Sequence, residues 1–288
     1  MKLNFECLNC NMNQVVKVSQ VMGYNREKSE TIMREVLDYL SKVDYNRCNA
    51  EVMNGTWEIL CRYAGEDNVY RTLKQHYNQQ VLNMEDEIQK MIDTAENPFQ
   101  IALRVAISGN LIDFAAKSEF NSQILRKNIT AIRETKLGID DSAALHLDLG
   151  KAKRLLYLGD NCGEICLDKL FIAHIKQEFP ELSIQFAVRG KAILNDVLVE
   201  DAHMVGMDQL VEIIDNGDNC PGTVLHRTSP EFKKNYELAD LVIAKGLGNY
   251  ESLSEENKNI YFLFMAKCDT SAERVGVKKR SIVCKKNC

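Results

Sequence analysis

RLLYLGDNCGE, residues 154–164, decides the fold. A run of five residues, four of them Leu or Tyr, stops at Gly159, and a polar turn then opens a segment with helical periodicity from Glu164 to Glu178. A short apolar run closed by a turn reads as a buried strand. Apolar residues returning every three or four positions read as a helix. The same grammar recurs downstream. LSIQFAV (182–188) stops at Arg189-Gly190, Val211 to Ile214 stops at Asp215, LVIA (241–244) stops at Lys245-Gly246, and Tyr261 to Met265 forms another run. Glu231 to Leu238 reads as a helix between two of them. This alternation predicts an α/β protein with a Rossmann-like, mostly parallel sheet sandwiched by helices.

Upstream of this stretch the pattern is helical. Ile32, Met33, Val36, Leu37 and Leu40 fall at spacings of three and four, and Thr56 to Ala64 and Val69 to Ile92 continue the theme. Asn97-Pro98 breaks it, with Pro98 suited to the first position of a new, strongly apolar helix from Phe99 to Phe114. The expected organisation is a helical N-terminal region over 1–150 and an α/β catalytic domain over 151–288 that binds metal.

Composition narrows the function. Of 288 residues, 45% are apolar and 27% charged, ordinary values for a globular chain. The net charge of −5 argues against nucleic acid as a partner, since neutralising phosphates needs clustered Lys and Arg. The basic group Lys278, Lys279, Arg280, Lys285 and Lys286 reads as solvated surface. MKLNFECLNCNMN at the start lacks the apolar core of a signal peptide, and no apolar run approaches the roughly 20 residues of a membrane span. The expectation is a soluble, cytoplasmic protein without a membrane partner, its ten Cys mostly reduced.

Ligands of open parallel sheets bind beyond the carboxyl ends of the strands. There this sequence sets Gly159-Asp160-Asn161-Cys162-Gly163-Glu164, then Arg189-Gly190-Lys191 with Asn195-Asp196, then Gly217 to Thr223, then Lys245 to Asn249. Carboxylate and amide oxygens suit a hard divalent cation, and Asp160, Asn161 and Asp196 match the few protein ligands that Mg²⁺ takes. Lys245 supplies a point charge for phosphoryl oxygens. Each residue alone has a plainer reading: Asp and Asn cap helices and make turns, and lysines at strand ends reach for water. Their coincidence on one sheet edge carries the functional expectation. Neither GxxxxGK[ST] nor a complete GxGxxG is present, position 251 being Glu.

CLNC (7–10), GNLIDF (109–114), LGDNCGE (158–164), VRGKAILNDV (188–197), GDNCPGT (217–223), IAKGLGNYESL (243–253) and FLFMAKC (262–268) occur in this order along the chain. In order and spacing they resemble the DUF89 family, the damage-control phosphatases with an ARMT1-like domain, closest to its short prokaryotic branch. The resemblance implies hydrolysis of small phosphomonoesters, sugar phosphates or damaged phosphometabolites, by a water activated on a divalent metal (Mg, Mn, Co or Ni). It implies metal ligation by Asp160, Asn161 and Asp196, phosphate contact by Lys245, and a pocket lined by Asn110 and Asp113. Glu164, Arg189, Gly217, Gly222, Thr223 and Asn249 complete the expected substrate-binding set. Cys162 stands where the family commonly has Ala.

Two other readings stay open at this level. One is a methyltransferase or another nucleotide-type Rossmann enzyme, suggested by the glycine-bearing turn after the first strand. The other is a non-catalytic zinc or thiol protein built on Cys7-x-x-Cys10, with Cys268 and either Cys284 or Cys288 as further ligands.

Overall fold

The computed structural model describes residues 1–109, 131 and 135–287. Six helices come first: α1 (Cys7–Val21), α2 (Arg26–Leu40), α3 (Asn49–Ala64), α4 (Arg71–Leu82), α5 (Glu85–Asp93) and α6 (Pro98–Ser108). The α/β part follows as β1 (Ile139–Asp140), α7 (Ser142–Leu149), β2 (Arg154–Leu158), α8 (Glu164–Glu178), β3 (Ser183–Val188), α9 (Val199–Met204) and β4 (Glu212–Asp215). It ends with α10 (Pro230–Leu238), β5 (Leu241–Lys245), α11 (Gly246–Leu253), β6 (Ile260–Met265), α12 (Asp269–Val275) and β7 (Ile282–Lys286).

The strands form one sheet in the order β1-β7-β6-β5-β2-β3-β4. All neighbours are parallel except β6 and β7. The expected α/β class holds, with two strands added. β7 runs against β6, and β1, inside the stretch expected to be helical, pairs with it from the far side.

Side chains alternate cleanly across the sheet, as the two-residue period of a strand requires. Leu155, Tyr157, Ile184, Phe186, Leu241 and Ile243 enter one core with Phe99, Leu103 and Ile107 of α6 and Ile165, Phe171 and Ile172 of α8. Leu156, Leu158, Ala187, Val242, Ala244, Phe262 and Phe264 enter the other with Phe232 and Tyr236 of α10 and Tyr250 and Leu253 of α11. Burial on both faces explains why β5 and β6 read as unbroken apolar runs.

The helical layer has its own core, in which Val15, Val18, Ile32, Val36, Leu40, Trp57 and Leu60 meet Ile193 of the loop after β3. Val69 to Ile92, a single periodic stretch in sequence, is two helices that divide at Asn83-Met84. Pro98 takes the first helical turn of α6 and Asn97 caps it, accepting a hydrogen bond from Gln100 N. Asn110 and Asp113, on the expected continuation of that helix, lie outside the described residues.

Strand order reverses at β2. The chain passes from β2 to β3 and β4 on one side, then returns to place β5 on the other. The carboxyl ends of β2 and β5 therefore flank a topological switch point, where ligands of doubly wound sheets bind.

Candidate active site

Asp160 and Asn161 leave the end of β2 and meet the loop after β3. Asn161 and Asp196 form an isolated antiparallel bridge. Val197 N donates to Asp160 O (2.9 Å), Cys162 N to Asn195 O (2.9 Å) and Arg189 N to Val197 O (3.0 Å). Backbone hydrogen bonding thus gathers the three expected metal ligands.

The Asn161 amide is oriented by its neighbours. Its Nδ2 donates to Asp160 Oδ2 (2.6 Å) and Glu164 Oε2 (3.3 Å). Both acceptors are carboxylates, so the NH₂ group must face them and Oδ1 must turn away. Asp160 lies against Gly246, whose φ of +78° and missing side chain make the approach feasible. A Cβ there would stand 2.0 Å from Asp160 Oδ2.

Asp196 is buried and paired with buried Arg189, Nε to Oδ2 at 2.8 Å. Arg189 Nη1 donates to Thr223 Oγ1 (3.3 Å), Thr223 Oγ1 to Asn249 Oδ1 (2.8 Å), and Asn249 Nδ2 to Lys245 O (2.7 Å) and Gly159 O (3.4 Å). One chain of polar contacts therefore ties together the segments that follow β2, β3, β4 and β5.

Gly217 and Gly222 have positive φ, +73° and +148°. Gly222 is pressed against the Gly248 carbonyl, and Gly217 against Gly190 and Ser229. The N–H groups of Gly217, Asp218, Gly222 and Thr223 all find acceptors inside the protein. This loop packs the site and does not present those groups as an anion cradle.

Lys245 also differs from its expected role. It is fully buried, and its ammonium donates to Ala106 O (2.8 Å), Glu164 Oε1 (2.6 Å) and Asp168 Oδ1. Three donors meet three protein acceptors, so the arrangement makes Lys245 an anchor for acids instead of a free charge for phosphate. Periodicity gave no sign of Asp168, which also accepts from Tyr157 Oη (2.7 Å). Asn78 of α4 was equally silent, and its Oδ1 takes the Gly163 N–H at 2.5 Å. A long-range partner leaves no mark on local sequence pattern.

The charge balance fits a divalent cation. Asp160, Glu164, Asp168 and Asp196 cluster around two directly bonded cations, Lys245 and Arg189. Burial, then Glu164 and Asp196, hold the Asp160 carboxyl well above its usual range. Burial also raises Asp196, with Arg189 opposing. Burial pushes Asp168 up to about 7 against the pull of Lys245. Lys245 itself would be lowered by burial, but Asp168 and Glu164 raise it. Among the described residues no three His, Cys, Asp or Glu side chains form a group that could hold a metal ion. A site here must therefore add an amide oxygen to its carboxylates, as Asp160, Asn161 and Asp196 allow.

A cavity of about 950 Å³ is lined by Trp57, Arg62, Arg71, Arg189, Lys191 and Glu200, among others, and among the described residues Arg189 is the one expected site residue on its wall. The cysteines of the described residues are free thiols. Cys268 lies within electrostatic reach of Cys7 and Cys10, whereas Cys284 is buried in β7. No helix among the described residues is long and apolar enough to cross a membrane.

Known proteins share the sequence pattern and the fold. The sequence profile of the damage-control phosphatase ARMT1-like domain matches residues 4–283. A damage-control phosphatase of Pyrococcus horikoshii is 31% identical, covering 100% of this chain and 99% of its own. One from Archaeoglobus fulgidus is 30% identical, with 99% of each chain covered. An uncharacterized protein of Methanocaldococcus jannaschii is 33% identical over 96% of this chain and 92% of its own. The crystal structure of a DUF89 family protein from P. horikoshii superposes with a TM-score of 0.89 at 30% identity, covering 100% of both chains. The chain belongs to the DUF89 family of damage-control phosphatases with an ARMT1-like domain.

Proposed function

We propose that this protein is a divalent-metal-dependent phosphatase acting on small phosphomonoesters, such as sugar phosphates or damaged phosphometabolites. The observation that carries the reading is the Asn161–Asp196 bridge at the switch point. It brings the backbones of Asn161 and Asp196, with Asp160 beside them, together, which supports reading two carboxylates and an amide as a donor set for a hard cation. The relatives named damage-control phosphatases support the reaction class.

Asp160, Asn161 and Asp196 would hold the ion. When bound, a divalent ion polarises a phosphoryl oxygen and activates water. The protein's own part is to orient and insulate. Asn161 presents Oδ1 because Asp160 and Glu164 hold its NH₂. Arg189 balances Asp196 and ties it to Thr223. The resemblance would add Asn110 and Asp113, which lie outside the described residues, to the substrate contacts.

The test is hydrolysis of an aryl phosphate and a panel of sugar phosphates with Mg²⁺, Mn²⁺, Co²⁺ or Ni²⁺. Activity should require the ion and vanish in Asp160→Ala and Asp196→Ala while both variants remain folded. Hydrolysis that survives chelation, or persists in either variant, rejects the assignment.

A further inference from the structure

Asp168 is buried on α8, one helical turn beyond Glu164. Its Oδ1 receives two donors, the Tyr157 hydroxyl and the Lys245 ammonium, while its buried Oδ2 has no hydrogen-bond partner among the described residues. The contacts continue in one direction. Lys245 Nζ reaches Glu164 Oε1, Glu164 Oε2 receives Asn161 Nδ2, and Asn161 Nδ2 also reaches Asp160. Gly109 leaves room for this path, because a Cβ there would stand 2.5 Å from Glu164 Cγ.

We propose that Asp168 is a positioning residue: braced by Tyr157, it fixes the Lys245 ammonium, which fixes Glu164, which sets the Asn161 amide so that Oδ1 faces the cation. This rests on the metal-dependent reading above and assigns Lys245 to the support of the ligands instead of to the phosphate. Partners one step behind a ligand commonly set its orientation and tune affinity. Asp168 does this at two removes, through the buried ammonium whose other acceptors are Glu164 and the Ala106 carbonyl.

A purely structural pair must be distinguished, and the molecule contains a half-buried counterpart. Asp148 accepts from Tyr261 Oη (2.8 Å) and Lys286 Nζ (2.6 Å), the same trio of residue types, but it touches none of the site residues. Mn²⁺ binding to the full chain is measured by calorimetry and by electron paramagnetic resonance, alongside thermal unfolding. Asp168→Asn should bind Mn²⁺ about tenfold or more weakly. Tyr157→Phe should show a smaller loss in the same direction. Asp148→Asn should unfold at lower temperature yet bind Mn²⁺ like the wild type. At saturating Mn²⁺, inhibition by inorganic phosphate should be the same in wild type and Asp168→Asn.

Wild-type Mn²⁺ affinity in folded Asp168→Asn overturns the proposal. So does loss of phosphate inhibition with Mn²⁺ affinity intact, which would return Lys245 to the phosphate. If Asp168→Asn does not fold, Tyr157→Phe decides: weaker binding supports the proposal and unchanged binding overturns it. A wild-type protein that takes up none of Mg²⁺, Mn²⁺, Co²⁺ or Ni²⁺ overturns the metal-dependent reading itself, and the proposal with it.

Discussion

Oδ1 of Asn78 stands 2.5 Å from the backbone nitrogen of Gly163 and accepts its hydrogen bond across 85 positions of sequence. Asn78 is fully buried on α4, and Gly163 carries a φ of +77° at the entrance to α8. The helical layer thereby holds the turn that presents Asp160 and Asn161. Replacing Asn78 with Ala leaves that N–H buried and unpaired, at a cost of about 1–3 kcal/mol. Urea unfolding should report this loss, and divalent-ion affinity should fall with it. A variant as stable as wild type would show the contact to be dispensable.

Gly246→Ala is expected to be more harmful to activity than to folding. The new methyl would meet the Asp160 carboxylate at 2.0 Å on a backbone with φ of +78°. Asp160 must then move, and a displacement near 1 Å in a reacting constellation costs on the order of 10²-fold in rate. The comparison is kcat for an aryl phosphate in wild type and variant, at matched ion occupancy.

The acid cluster fixes a sign for pH dependence. Burial holds the folded-state Asp168 carboxyl near 7, above its ordinary 3.8. Stability from its protonated form is complete below about pH 4 and is lost as pH rises through about 7. Chelator-treated wild type should therefore lose stability relative to Asp168→Asn across that window, as followed by denaturant midpoints. Burial raises Asp160 and Asp196 too, so ion uptake should release protons, visible with an indicator dye. Parallel stability curves for the two proteins would count against a raised Asp168.

Thiol accessibility gives an independent check on the fold. Cys10 and Cys268 are exposed, while Cys162, Cys166, Cys220 and Cys284 are buried. Burial also pushes the Cys7 thiol up to about 11, so little of it is thiolate at neutral pH. With a chromogenic disulfide reagent, Cys10 and Cys268 should react in the native protein, and the four buried thiols only after unfolding. Rapid native reaction of Cys162 would mean that the turn after β2 opens.

Much of the architecture was legible because its signals are local. β2, β3, β5 and β6 are buried on both faces, so each appears as an apolar run ending at a turn, and α8 runs from Glu164 to Glu178 as its periodicity predicts. β1 has two residues and β7 ends in two lysines, so neither carries that signature. At the site, the juxtaposition of Asp160, Asn161 and Asp196 followed from strand-end logic. The saturation of Lys245 did not, because its acceptors come from α6 and α8 and depend on how those helices pack. Tyr157 belongs to the apolar run that predicts β2, and its hydroxyl's bond to Asp168 depends on how α8 packs on that strand.

The placement of β7 between β1 and β6 bears on how the chain is made. Synthesis delivers residues 282–286 after all the other strands, yet they fill an interior slot. Until then the nascent β6 presents an unpaired rim, and β1 has no neighbour to dock on. Exposed strand rims of this kind invite association between chains. A ribosome stalled before this segment would thus carry a nearly finished sheet that remains sticky along one side.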